Sequence, residues 1–464
     1  LTDYTGLEYR LIEIPVLSWK LKHKDPPWLQ PAPYTEESYA RGRVTRVKGD
    51  PGDPGAWSRG RGIALIREPE DPDDLKAAML LAFENGFDAL LVEAPPRIIV
   101  VNGYWGYSYR AGAPAPIPVG YVEPGRVREG EVVEVSVDAD MRTSRGYIVE
   151  AGGGENPVAV GAHYDRWYTG FQDNILGVAQ AGVLARMLLD KGGEVLLLAF
   201  TAEEHGAPGY ASWYWAWGSR FYFTQLEESG RLEGMRAYIN FDVAGNRGLT
   251  VSGSPQLISG TRLPVREWEC PECDSLQAAV RGVPTISIHS LWSGEVLKIY
   301  HTPHDTPSNY NIESAAEAVL EAYRLISMEP RWGALREVLG NTLSRGPLEA
   351  RRLNAVIQAL LDRDPEHGYR ILSRTLLKPV HYGSYRHDSG HLEALWVPEA
   401  SLLDRIMRGY SRGSLPREVI EPGEERLLLV LSNGRRNVRL DQVMAQVRRA
   451  IIEYTEEIQA QART

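Results

Sequence analysis

The chain has 464 residues, 43% of them hydrophobic, and a formal net charge of -10 at pH 7. That length accommodates about three domains, and the apolar share suits a buried core and excludes a disordered chain. The acidic balance excludes a general nucleic-acid binder, which needs clustered Lys and Arg to neutralise phosphates. No stretch reaches the ~18 uncharged apolar residues of a membrane-spanning helix.

In chain order, residues 1–45 are rich in Pro, Tyr and charge without strong periodicity, and read as a lead-in packed on the domain over 126–327. The opening LTDYTGLEYR is not a signal peptide. Because the first residue is Leu, an already removed leader stays open, and secreted or cell-envelope is placed ahead of cytoplasmic. Over 46–125, RGIALIRE and FDALLVEA read as strands around a helical DPDDLKAAMLLAFENG, and the Pro/Gly-rich RAGAPAPIPVGYVEPG closes a small α/β module. From 126 to 327 the apolar runs NPVAVGA, EVLLLAF, AYINFDV and VPTISIH alternate with helix-like stretches such as 175–190, which ends at Gly192. Short continuous apolar strands between helices predict an α/β fold, a mostly parallel sheet covered by helices on both faces. Residues 328–464 carry amphipathic helical patterns and one hairpin-like piece, RLLLVLSNGRRNVRL, and read as a mainly helical C-terminal region.

Polar residues stand where these strands end. VAVGA leads to His163 and Asp165, VLLLAF to Glu203 and Glu204, and YINF to Asp242; the loop after TISIH carries YHTPHDT with His301. In open α/β sheets, ligands bind in the crevice beyond the carboxyl ends of the strands. Imidazoles and carboxylates converging there suit zinc. His163 and Asp165 lie two apart, so the Asp165 carboxylate can accept the second ring N–H of His163 and orient it. Adjacent Glu203 and Glu204 point in different directions, so one can ligate while the other takes a proton as general base. Asp173, at the start of a helix, has two oxygens and could bridge two ions.

Together, GAHYD, QDN, AEEHG, FDVAG and YHTPHDT resemble, in order over about 126–327, the co-catalytic zinc exopeptidases. That family includes bacterial leucyl aminopeptidase, aminopeptidase Y and glutamate carboxypeptidase II. The resemblance implies two zinc ions per chain, one held by His163, Asp173 and Asp242, the other by Asp173, Glu204 and His301. It also implies that Asp173 bridges, that Glu203 is the general base, that Asp165 orients His163, and that the Asp173–Asn174 peptide is cis. Residues 46–125 resemble the protease-associated domain that many members insert. With the C-terminal region, the layout is similar to the glutamate carboxypeptidase and transferrin receptor branch, which implies pairing of two copies through that region. HYDRWYTG shares a Trp with that branch, whereas YHTPHDT is closer to the aminopeptidases.

The expected activity is metal-dependent removal of N-terminal residues from peptides. The alternatives are a carboxypeptidase, in which Arg166 or Arg220 reads the terminal carboxylate, and a non-catalytic receptor-like member. The intact ligand set counts against the latter. His304 competes with His301, but the family pattern places the ligand before TPHDT. His205 and His289 are read as structural. Tyr210, Trp213, Tyr214 and Trp217 recur at helical spacing and predict a core-facing stripe rather than a substrate pocket. Cys270 and Cys273 in ECPECD, the only cysteines, are too few for a four-ligand zinc knuckle and read as a local disulfide or two thiols.

Overall fold

Short apolar runs, buried on both faces, form the centre of the molecule. The computed structural model describes residues 2–69, 78–94, 117–206, 216–345 and 358–373, apart from positions 34, 36, 37, 80, 84, 268, 269, 271, 272, 292 and 360. Its strands are β1 (Tyr9–Asp25), β2 (Gln30–Pro31), β3 (Ser38–Arg46), β4 (Ile63–Arg67), β5 (Ala89–Glu93), β6 (Val119–Val122), β7 (Val132–Gly153), β8 (Val158–His163), β9 (Val195–Phe200), β10 (Ala237–Asp242), β11 (Thr250–Gly253), β12 (Val265–Glu267) and β13 (Thr285–His289).

Four of them, in the order β9-β8-β10-β13, are parallel and buried at every position. The helices Leu176–Leu189 and Ile312–Ile326 cover one face, where Leu184, Ala185, Ala318 and Leu325 pack on Val160, Leu197 and Ile239. The helix Trp217–Glu228 covers the other, with Tyr222, Phe223 and Leu226 against Phe200 and Tyr238. Burying each such side chain contributes about 1.5–3 kcal/mol. Antiparallel partners flank these four strands, β7 beside β9 and β11 beside β13.

The expected lead-in is sheet. β1, 17 residues long, pairs antiparallel with β7 from Tyr9↔Ala151 to Asp25↔Ser136, and its Ile14 is 1% exposed within the core. Its alternation YRLIEIPVL is broken at Pro15, which an edge strand tolerates because it needs fewer ladder donors. β3 then pairs with β7 through Ser38–Arg43 and with β4 through Val44–Arg46. One sheet thus runs on from β7 and β3 into β4, β5 and β6, which are parallel. Val44, Ile63 and Leu91 share a core cluster with Val133 and Val135. Of DPDDLKAAMLLAFENG, positions 78–79, 81–83 and 85–86 are described; the first five are helical and the last two form a turn.

Beyond the sheet come the helices Trp332–Arg345 and Pro365–Leu372. Tyr369 of the latter is 1% exposed and its hydroxyl meets Ser254 Oγ, just beyond β11, at 2.8 Å, so this part of the C-terminal region packs on the end of that strand. The hairpin-like piece at 426–440 and the pairing assigned to this region fall outside the described residues. So do Tyr210, Trp213 and Tyr214; the helix there begins at Trp217, after Ala216 at φ 52. Among the described residues, no helix is long and apolar enough to cross a membrane.

Candidate metal centre

Each parallel strand delivers one part of the site. β8 ends at His163, 1% exposed, and β10 ends at Asp242, 4% exposed. β9 ends at Phe200, three residues before Glu203; Glu203 and Glu204 lie in the turn beyond it and are buried. Asp173 comes from the loop before the helix Leu176–Leu189, at non-helical φ -117 and ψ 79, and the Asp173–Asn174 peptide is cis. His301 follows β13 on a turn and has φ 54.

These side chains form two groups of three, His163, Asp173 and Asp242, and Asp173, Glu204 and His301; within each, one ligand atom per residue lies within 4.8 Å of the others. Asp173 is common to both. Its Oδ1 is 3.2 Å from His163 Nε2, and its Oδ2 is 3.1 Å from His301 Nε2. Asp242 Oδ1 approaches His163 Nε2 at 3.7 Å, and Glu204 Oε2 approaches His301 Nε2 at 2.9 Å. Ligand atoms around a tetrahedral zinc at ~2.1 Å stand roughly 3.4 Å apart. Moreover, His301 Nε2, Asp173 Oδ2 and Glu204 Oε1 are buried without hydrogen-bond geometry to any partner. Convergent polar atoms without hydrogen-bond geometry fit a divalent ion among Asp173, Glu204 and His301, and His163, Asp173 and Asp242 form a second candidate group.

The electrostatics point the same way. Burial, with Asp173 adding, pushes Glu204 up to about 8. Burial and then the Asp242, Asp274 and Glu204 carboxylates push Glu203 well above its usual range. Burial pulls His301 down, but Glu204 and Asp173 outweigh it and lift it to about 10. So many buried carboxylates repel one another unless cations sit among them.

Surrounding groups hold the ligands. His163 Nδ1 lies 3.0 Å from the backbone carbonyl of Asp165, which fixes the ring with Nε2 towards the acids. The expected acceptor was the Asp165 carboxylate. Its Oδ1 is 3.8 Å from Nδ1, and the two carboxylate oxygens instead accept the backbone N–H groups of Glu203 and Glu204, each at 3.1 Å. Unpaired turn donors outcompete a ring N–H already served by a carbonyl. Asp165 therefore ties the end of β8 to the glutamate turn.

Three residues of the centre went unforeseen. The Asp305 carboxylate accepts from the N–H groups of Gln172 (2.8 Å) and Asp173 (3.1 Å), clamping the ligand loop. Asn174 Nδ2 donates to Phe241 O at 2.8 Å, joining that loop to β10. Asp274 is fully buried, and burial leads the causes that raise it to about 7, with Ser219 beside it opposing. Asp305 stands in YHTPHDT, so that motif held the signal; nothing local marks Asp274 apart from its place after the Cys pair. Cys270 and Cys273 form a disulfide.

Of the remaining candidates, His304 is exposed and belongs to neither group. His289 is buried, with Ser252 Oγ 2.9 Å from Nε2 and Thr250 Oγ1 3.2 Å from Nδ1, and His205 is buried with its proton affinity depressed by burial. Trp217 is core, 6% exposed, and its Nε1 donates to Pro15 O at 2.6 Å. Arg166 is exposed, whereas Arg220 is 2% exposed with its guanidinium over the Trp217 ring at 5.4 Å.

Residues 147–262 match the profile of Peptidase family M28. That span holds His163, Asp173, Glu203, Glu204 and Asp242 and ends before His301. Among solved structures, BSAP, a zinc aminopeptidase from Bacillus subtilis, is 18% identical over 70% of this chain and 85% of that one, with a TM-score of 0.52. An aminopeptidase from Aneurinibacillus sp. strain AM-1 is 17% identical over 71% of this chain and 86% of that one, with a TM-score of 0.49. The likeness to the B. subtilis protein shows the fold. No curated protein matches the sequence.

Proposed function

Because the chain carries a peptidase family M28 domain and belongs among the co-catalytic zinc exopeptidases, we propose that it is a di-zinc aminopeptidase that removes N-terminal residues from peptides. The observation that carries this reading is the pair of three-residue ligand groups sharing Asp173. His163, Asp173 and Asp242 would hold one ion, and Asp173, Glu204 and His301 the other. Ions held there would supply Lewis acidity, polarising the scissile carbonyl and making a water easier to deprotonate.

The chain's own residues do the rest. Glu203 belongs to neither ligand group, yet its Oε2 lies 3.8 Å from His163 Nε2, within the same crevice. Its carboxylate takes a proton from the attacking water as the water oxygen bonds to the carbonyl carbon. When the C–N bond breaks, Glu203 returns that proton to the leaving amine nitrogen. Asp165 keeps Glu203 and Glu204 in place through their backbone N–H groups, and its carbonyl orients His163. The acidic surroundings suit a cationic α-amine. Of the two arginines offered for a carboxypeptidase, Arg220 is buried against Trp217, which leaves the exposed Arg166 as the one able to read a carboxylate. In this reading residues 46–125 are a protease-associated module, and copies pair through the C-terminal region.

The test is mass spectrometry of a free-amine peptide and its N-acetylated twin, incubated with zinc-loaded and with chelator-treated protein. Shortening of the free-amine peptide alone from its N-terminus, abolished by the chelator, is the expected result. Shortening of both from the C-terminus would replace this reading with a carboxypeptidase. No cleavage by zinc-loaded protein would replace it with a binding protein.

A further inference from the structure

The two imidazoles of the centre are held by different means. His163 is anchored by the Asp165 carbonyl at Nδ1. His301 has no such anchor among the described residues: its short contacts, to Glu204 and Asp173, both run from Nε2, and its side chain is 13% exposed against 1% for His163. Its backbone lies in the left-handed region, which does not by itself fix the ring. Two aromatic rings pack against it. Tyr300 stacks on the imidazole with ring centroids 3.8 Å apart and planes 20° apart, and Trp167 meets it at 6.4 Å and 68°. The Trp167 Nε1 is buried without a hydrogen-bond partner, so packing alone places the indole.

We propose that Trp167, together with Tyr300, is a positioning residue that orients His301, so that one ligand group depends on ring packing where the other depends on a hydrogen bond. An imidazole free to turn about its side-chain torsion presents Nε2 to the carboxylates only part of the time, and metal affinity falls with that fraction. Trp167 sits four residues after His163 yet its ring meets His301. This inference rests on the di-zinc reading.

The experiment is a titration of metal-stripped, full-length protein with zinc in competition with a chromophoric chelator. Unaltered protein should bind two equivalents. In Trp167→Leu one equivalent should keep its affinity while the other weakens roughly ten- to hundredfold. Trp167→Phe, which keeps a ring and lacks the N–H, should restore it, and Tyr300→Leu should reproduce the selective loss from the opposite face. Thermal midpoints of the metal-free proteins identify any variant that fails to fold, and Tyr300→Leu with Trp167→Phe keeps the test decisive if Trp167→Leu is one. Equal weakening of both equivalents, no weakening, or a Trp167→Phe as poor as Trp167→Leu would overturn the proposal. Fewer than two equivalents on the unaltered protein would instead remove the di-zinc reading, which the variants then separate no further.

Discussion

Glu203 and Asp305 act at the scale of single side chains. Glu203→Gln keeps the shape of the side chain and removes its ability to take a proton, so turnover should fall about 10²–10⁴-fold while both zinc equivalents remain bound; full activity would remove the general-base role. Asp305→Ala leaves the N–H groups of Gln172 and Asp173 without their acceptor. Zinc affinity should fall about ten- to hundredfold, read by the same chelator competition. His289 governs a pH dependence. Burial, with Arg266 adding, lowers it to about 4 from an ordinary 6.5. The unfolded chain therefore binds a proton below about 6.5 that the folded chain refuses until about 4. Its contribution to stability is full above that window, falls through it, and levels off beneath it, by up to about 3 kcal/mol. Denaturant unfolding at pH 7 and pH 5 should lose part of its pH slope in His289→Asn; an unchanged slope would contradict the account.

At the scale of elements, the site depends on how closely helix and strand approach. A Cβ at Gly177, in the first turn of the helix Leu176–Leu189, would lie 2.1 Å from Asn174 Oδ1 and 2.8 Å from Phe241 O. Gly177→Ala must push the helix from β10 and disturb the loop carrying Asp173. It should cost about 1–3 kcal/mol and weaken zinc binding together, and unaltered binding would show that the loop is held independently of the helix. β1 is the element that sequence reading missed. Its pattern alternates weakly and contains Pro15, and only pairing with β7 over nearly its whole length makes it a strand.

Across the whole molecule, β3 carries the sheet from one module to the next, and the core around Val44, Leu91 and Val135 belongs to both. Thermal unfolding of the intact chain should therefore show one main transition for residues 1–327; two well-separated transitions would mean that the junction carries little energy. For the proposed pairing, light scattering should give a dimer for the full chain and a monomer for a chain ending at residue 373. That cut keeps Tyr369 in its place against Ser254, and a monomer in both cases would end the proposal.

The sequence by itself determined the parallel sheet and the residues offered at its strand ends, because buried strands must be apolar throughout and polar groups at their ends therefore stand out. His163, Glu203, Glu204 and Asp242 were legible for that reason, and His301 once its motif was set against His304. Tertiary structure decided what depends on distant partners. The Asp165 carboxylate turned to the Glu203 and Glu204 amides, some 40 residues on, instead of the nearby imidazole. Asp305 reached back across more than 130 residues to clamp Asp173, and Trp167 came to rest against His301. Such pairings depend on which loops the sheet order brings together, and no local pattern of residues encodes that order.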